Sequence, residues 1–193
     1  MKANIVLASG SPRRRALLSE MGRAFTVVEP QVDESVRQGA DPAAEAMRLA
    51  VDKAEEVAAR VGPALIVAAD TLVALGGEIL GKPRDREHAA GILHRLSGTR
   101  HQVITGFCVL DTRAGRRVVD YVSTSVTMKP MSESAIREYV DSGEADGKSG
   151  AYAIQETGDR YVSRVEGSFS NVVGLPTERL AAVLGELLPG GDG

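Results

Sequence analysis

The stretch Ala64-Leu-Ile-Val-Ala-Ala-Asp-Thr-Leu-Val-Ala-Leu-Gly-Gly-Glu-Ile-Leu80 decides the architecture. It opens with the longest apolar run in the chain, Ala64 to Ala69, far short of the ~18 residues that would cross a bilayer. That run reads as a buried strand ending at Asp70, and the residues after it as a hairpin turning on Gly76-Gly77. Just ahead, Asp41-Pro42 opens a helix to about residue 61, with Met47, Ala50, Ala54, Val57, Ala58 and Val61 at helical spacing. A strand entered from a helix and left through a hairpin indicates an α/β or α+β domain around a mixed sheet.

Working outward, residues 3–8 read as a short buried strand. Ser11-Pro12 then starts a helix whose apolar face is Leu17, Leu18 and Met21, with Gly22 at its end. Residues 25–29 form a second strand. A helix spans Asp85 to Leu96, two long strands cover 101–111 and 117–128, Ser132 caps a helix stopped by Gly143, and a last helix runs from about 176 to 188. The end, Pro189 to Gly193, reads as frayed.

The chain has 193 residues, which at ~150 residues per domain favours one domain over two. It is 43% hydrophobic and 25% charged, which argues against disorder. One Cys and no Trp exclude an intrachain disulfide framework and a cysteine-rich zinc site. Aromatic content of 4% argues against a stacking platform for single-stranded nucleic acid. The net charge of −3 gives no global field to hold a polyanion. Its distribution says more: residues 1–30 carry Lys2, Arg13, Arg14, Arg15 and Arg23 against Glu20 and Glu29, a basic cluster suited to a small anionic ligand. The apolar run at Ile5 to Ala8 is too short for a signal peptide core. The reading is a soluble, cytoplasmic protein with no membrane or nucleic-acid partner.

Four places could carry chemistry. Ala8-Ser-Gly-Ser-Pro-Arg-Arg-Arg15 joins the first strand to a helix start, where Ser9, Ser11, unpaired N–H groups, Arg13 and Arg14 suit phosphate; a plain capped helix with solvated arginines reads equally well. Asp70-Thr71 at a strand end could hold Mg²⁺ or orient a water, or be a turn residue. Lys53 stands among Asp52, Glu55 and Glu56, so position alone favours a solvated face; Asp33-Glu34 alone is an ordinary acidic turn, and Lys82 lies in the constrained Gly81-Lys-Pro83 loop. Gly147-Lys148-Ser149 is not a Walker A ending, because Ser142 stands where that motif needs Gly. Gln155, following it, offers the donor and acceptor sides of an amide to a base. His88, His94 and His101 lack metal-ligand spacing and read as surface or cap residues, and Cys108 as core.

Taken in order, Leu7-Ala-Ser-Gly-Ser-Pro-Arg-Arg14, Val32-Asp-Glu-Ser35, Ala69-Asp-Thr71, Gly81-Lys-Pro83, Leu96-Ser-Gly98 and Asn171-Val-Val-Gly-Leu-Pro176 resemble the Maf family of septum-formation-associated nucleoside triphosphate pyrophosphatases. The resemblance implies a single α/β domain over residues 1–193. Its fold would be like that of inosine triphosphate pyrophosphatases: a mixed central sheet flanked by helices, two lobes with a deep cleft, and often a homodimer. It implies hydrolysis of a nucleoside triphosphate to monophosphate and pyrophosphate with a divalent cation, Mg²⁺ or Mn²⁺. Asp70 and Glu34 would serve the metal and catalysis, Lys53 and Lys82 the phosphates. Gly150-Ala-Tyr-Ala-Ile-Gln155 is similar to the branch acting on dTTP and UTP, in which Arg13, Thr71 and Gln155 are tied to substrate choice. Glu156 departs from the Gly of that pattern. A 7-methyl-GTP pyrophosphatase and a non-catalytic nucleotide-binding regulator of cell division are the competing readings. With so few rings, the expectation is that polar contacts, led by Gln155 and the backbone, choose the base.

Overall fold

A computed structural model describes residues 4–155 and 157–188. Glu156 and the 189–193 end, singled out above, lie outside the described residues. The elements in chain order are β1 (Ile5–Ala8), α1 (Pro12–Glu20), β2 (Phe25–Val28), α2 (Pro42–Ala58), β3 (Leu65–Leu75), β4 (Glu78–Leu80), α3 (Arg86–Leu96), β5 (Arg100–Asp111), β6 (Arg116–Met128), α4 (Glu133–Asp141), β7 (Val162–Glu166), α5 (Phe169–Val173) and α6 (Thr177–Leu187). The seven strands form one mixed sheet in the order β2-β1-β3-β5-β6-β7, with β4 also paired to β3. β1 runs parallel to β2 and β3, and every other pairing is antiparallel. The fold is α/β, a mixed sheet flanked by helices.

Local chemistry accounts for the helix starts. Ser11, Asp41, Asp85 and Ser132 each accept a hydrogen bond from the backbone N–H three residues on, the side-chain cap that satisfies an otherwise orphan donor. Pro12 and Pro42 stand in the first helical turn, where the missing N–H costs nothing. α2 stops at Ala58, three residues before the expected end, because Arg60 and Val61 both turn back onto the Val57 carbonyl before Gly62 and Pro63. β7 and α5 carry no periodic signal in the sequence, because each is only five residues long.

β3 is the spine, and it corrects the expectation that the strand ends at Asp70. β5 pairs with it continuously from Leu65–Asp111 to Ala74–Gln102, so Asp70 lies in mid-strand opposite Gly106. The other edge is interrupted. β1 accompanies β3 only as far as Ala68, and β4 takes up that edge again at Val73. Residues 69–72 therefore face a gap with no strand beside them among the described pairings, and a polar side chain is tolerated there.

The two faces of β3 differ. Leu65, Val67 and Ala69 pack with α1 and α6, and Val73 with α3 and α4. Ile66, Ala68, Leu72 and Ala74 pack against α2. By strand alternation Thr71 belongs to the first face and Asp70 to the α2 face. Cys108 is buried under α2, and burial pushes its thiol up to about 12, so it is an unreactive core residue.

α2 also buries Glu45, whose carboxylate takes hydrogen bonds from Arg48 Nη2 at 2.7 Å and Arg37 Nε at 2.8 Å. Arg48, against the opposing effect of burial and with help from Arg37, lowers its pKa to about 2. A carboxylate with a depressed folded pKa stabilises fully above its ordinary value of 4.5, and that contribution fades as pH falls toward 2. Glu45→Gln is expected to cost about 1 to 2 kcal/mol at pH 6. In urea titrations the gap between wild type and variant should shrink steadily from pH 5 to 2.5; a gap independent of pH would contradict the assignment.

Candidate active site

The gap along β3 opens into a cavity of about 330 Å³. Ser9, Ser11, Arg13, Arg14, Glu34, Lys53, Asp70, Thr71, Lys82 and Gln155 all line it. These ten sequence candidates are thus brought to one place.

On the α2 face four side chains alternate in charge. Lys53 Nζ lies 2.6 Å from Asp70 Oδ1 and 2.7 Å from Glu34 Oε1, and Lys82 Nζ pairs with the other Glu34 oxygen. Lys53 is only 2% exposed, which overturns the solvated-face reading. A buried ammonium is sustained by the two carboxylates that flank it. Its position follows from Gly106: a Cβ there would stand 2.6 Å from Ala46 O and closer still to Ala46 C and Met47 N. Without a side chain, α2 lies directly on the sheet and Lys53, two turns further on, reaches Asp70. Burial alone would raise the half-buried Glu34 carboxyl, but hydrogen bonds and charge from Lys53 and Lys82 prevail and lower it to about 2. Asp33 is exposed and does not line the cavity; its Oδ1 accepts the Ser35 N–H in a local turn.

At the β1–α1 junction the two readings, cap and ligand loop, coexist. Ser11 Oγ caps Arg14 N at 3.4 Å, and Ser9 Oγ accepts from Ser11 N at 3.1 Å. Gly10 lies against the Glu29 side chain, whose carboxyl a Cβ would meet at 2.6 Å and displace. Glu29 also lines the cavity, and no motif in the sequence marked it. Arg14 donates from Nε to Gly174 O at 2.8 Å and from Nη2 to Thr71 Oγ1 at 3.0 Å. Two of its five N–H groups are therefore spent on the protein itself.

Thr71 shares the lining with Arg14 and with the apolar side chains of Val73, Val103, Tyr152, Ile154 and Val172. Gln155 is exposed at the rim. The Ser149–Ala151 turn holds this lining against the β3–β4 hairpin. Ser149 Oγ accepts from Val73 N at 3.0 Å and donates to Leu80 O at 2.9 Å. Gly150, at φ 75°, passes Val73 so closely that a Cβ would lie 2.7 Å from its side chain. Tyr152 and Ile154 belong to the same sequence motif as Gln155, but an apolar residue in a short motif carries no local sign that it lines a cavity.

The histidines divide. His88 is half-buried and its Nδ1 accepts the Arg84 N–H at 3.2 Å, while His94 is exposed and pairs with Glu133 at 2.9 Å. His101 corrects the surface reading: it is 2% exposed, with Nε2 2.7 Å from the Tyr152 hydroxyl. Burial lowers its pKa to about 4, so it stays neutral near pH 7 and fixes the ring that lines the cavity.

The family model for Maf-like proteins matches residues 4–187. A dTTP/UTP pyrophosphatase of Pelotomaculum thermopropionicum is 47% identical over 180 residues, covering 93% of this chain and 94% of the relative. Proteins of the same name from Geotalea uraniireducens and Clostridioides difficile are 46% and 40% identical, over 91% and 94% of this chain and 90% and 93% of their own length.

Proposed function

This chain belongs to the Maf-like protein family, and on that footing we propose that it hydrolyses dTTP and UTP to the monophosphate and pyrophosphate. The observation that carries the reading is the row Asp70–Lys53–Glu34–Lys82 in one cavity with the apolar side chains of Val73, Val103, Tyr152, Ile154 and Val172. One side suits a charged phosphate chain and the other a nucleobase. The names of the relatives at 40 to 47% identity support the same substrates. Among the described residues no helix is long and apolar enough to cross a membrane; the reading places the enzyme in the cytoplasm, as a homodimer acting on free nucleotides.

A divalent cation, Mg²⁺ or Mn²⁺, fits the donor set. Asp70 and Glu34 bring two carboxylates to one part of the cavity, on either side of Lys53 Nζ, so a cation would bind beside the ammonium and not in its place. Mg²⁺ is ordinarily held by one or two carboxylates, with substrate phosphates and water completing its shell. When bound, such a cation neutralises phosphoryl oxygens as charge builds up.

In the proposed mechanism the phosphates enter over the α1 N-terminus, where Arg13, Ser9 and the first N–H groups face the cavity. Lys53 holds Asp70 Oδ1, which leaves Oδ2 to accept a proton from the water that attacks the α-phosphorus. As the α–β anhydride bond breaks, charge on the departing pyrophosphate is met by Lys82 and Arg13. Glu34 keeps both lysines oriented until the substrate arrives. Gln155 at the rim contacts the base edge.

Purified protein supplied with Mg²⁺ or Mn²⁺ and a panel of dTTP, UTP, CTP, GTP and 7-methyl-GTP tests this. Pyrophosphate release led by dTTP and UTP is expected. A preference for 7-methyl-GTP would replace the substrate assignment, and nucleotide binding with no release from any of the panel would replace the enzyme by a nucleotide-binding regulator.

A further inference from the structure

Behind Thr71 runs a chain of hydroxyls whose hydrogen positions can be deduced. Thr105, on β5 directly opposite Thr71 and fully buried, places Oγ1 3.1 Å from the Asn171 carbonyl oxygen. A carbonyl only accepts, so the single hydroxyl hydrogen of Thr105 is committed to it. Thr71 Oγ1 lies 2.9 Å from Thr105 Oγ1. Because Thr105 has no second hydrogen, Thr71 must be the donor in that pair. Arg14 Nη2 meanwhile donates to Thr71 Oγ1 at 3.0 Å. The Thr71 hydroxyl has thus spent its hydrogen inward and one lone pair on Arg14. What it can show the cavity is its remaining lone pair.

We propose that Thr105 is a positioning residue that makes Thr71 a pure hydrogen-bond acceptor toward the cavity, selecting a nucleobase that presents a ring N–H. The inference rests on the pyrophosphatase reading above and deepens it. Val73, Val103 and Ile154 line the cavity with Thr71, so a polar contact left unmatched beside them costs binding energy. Uracil and thymine carry N–H at N3 between two carbonyls. Cytosine has a lone pair at N3, which would face the lone pair of Thr71. Thr105 and Asn171 touch neither the reacting atoms nor the base, and act only by fixing the direction of a hydrogen.

Asn171 is built to hold its carbonyl still. Its Nδ2 donates to Val103 O at 3.0 Å and to Thr124 Oγ1 at 2.9 Å, which ties α5 to two strands of the sheet. The hydroxyl of Thr105 is therefore not the only bond anchoring α5. A variant lacking it retains that anchor.

Thr105→Val keeps the shape and removes the acceptor for the Thr71 hydrogen. Thr71 is then free to turn its hydrogen into the cavity and donate to cytosine N3. The ratio of kcat/KM for UTP over CTP should fall about tenfold or more, mainly by a gain with CTP, while Thr105→Ser keeps the wild-type ratio. If Val impairs folding, Thr105→Ala carries the same comparison. Calorimetry on wild-type protein with UMP and CMP gives a second readout, with UMP binding about tenfold tighter expected. An equal loss with UTP and CTP in Thr105→Val, or equal wild-type affinity for UMP and CMP, overturns the proposal and leaves the pyrophosphatase reading standing. Wild-type protein that releases pyrophosphate from neither dTTP nor UTP overturns both.

Discussion

Asp70→Asn is expected to lower pyrophosphate release from dTTP and UTP by about a thousandfold, with the fold intact. The amide keeps the size of the carboxylate, and its oxygen can still accept from Lys53 Nζ, now 2.6 Å from Oδ1. It cannot accept a proton from water, and a positioned base contributes roughly 10² to 10⁴ in rate. Loss of its charge also weakens any cation held between Asp70 and Glu34. Stability should move by only ~1 kcal/mol, because the buried ammonium of Lys53 keeps Glu34 at 2.7 Å. Nucleotide affinity, measured with UMP, should be nearly unchanged, since the base side of the cavity is untouched. Retention of a tenth or more of wild-type kcat would remove Asp70 from the chemistry. Glu34→Gln should cost less, because Glu34 is half-buried and acts through two lysines rather than on the water.

The site was legible in the sequence to the extent that its residues sit in short motifs with local meaning. Ser11-Pro12 marks a helix start and Gly76-Gly77 a hairpin, so the local setting of the motifs around them could be read directly. What stayed hidden depends on contacts between distant segments. Lys53 is surrounded in sequence by Asp52, Glu55 and Glu56, and every local cue says solvent. Its burial is decided by a glycine on another strand. Asp70 looks like a strand end because a carboxylate rarely lies within a sheet, yet β5 carries the pairing past it while the opposite edge is left open. His101 has the same explanation: nothing local pairs it with Tyr152, fifty-one residues away. The family resemblance implies roles for Lys53 and Asp70, and contacts between distant segments bring these two residues together.

That long-range geometry makes Gly106→Ala damaging to the fold and to the site together. Gly106 faces Asp70 across the β3–β5 ladder, and the added Cβ would stand 2.6 Å from Ala46 O, with Ala46 C and Met47 N closer still. Backbone cannot swing aside as a long side chain can, so α2 must lift from the sheet or β5 must buckle. Overpacking of a core ordinarily costs ~1 to 3 kcal/mol, and a collision with helix backbone belongs at or above the upper end. The consequence for activity is separate and larger. Raising α2 by about 1 Å withdraws Lys53 from Asp70, and a displacement of that size costs on the order of a hundredfold in rate. Gly91→Ala is the control. Gly91 is an exposed residue of α3 with nothing within 4 Å of its would-be Cβ, and there the same methyl should stabilise by about 0.5 to 1 kcal/mol. Urea titration and pyrophosphate release measured on both variants decide the matter. Opposite signs in stability, with activity lost only in Gly106→Ala, are expected; a folded Gly106→Ala protein with wild-type turnover would mean that the close seat of α2 does not position Lys53.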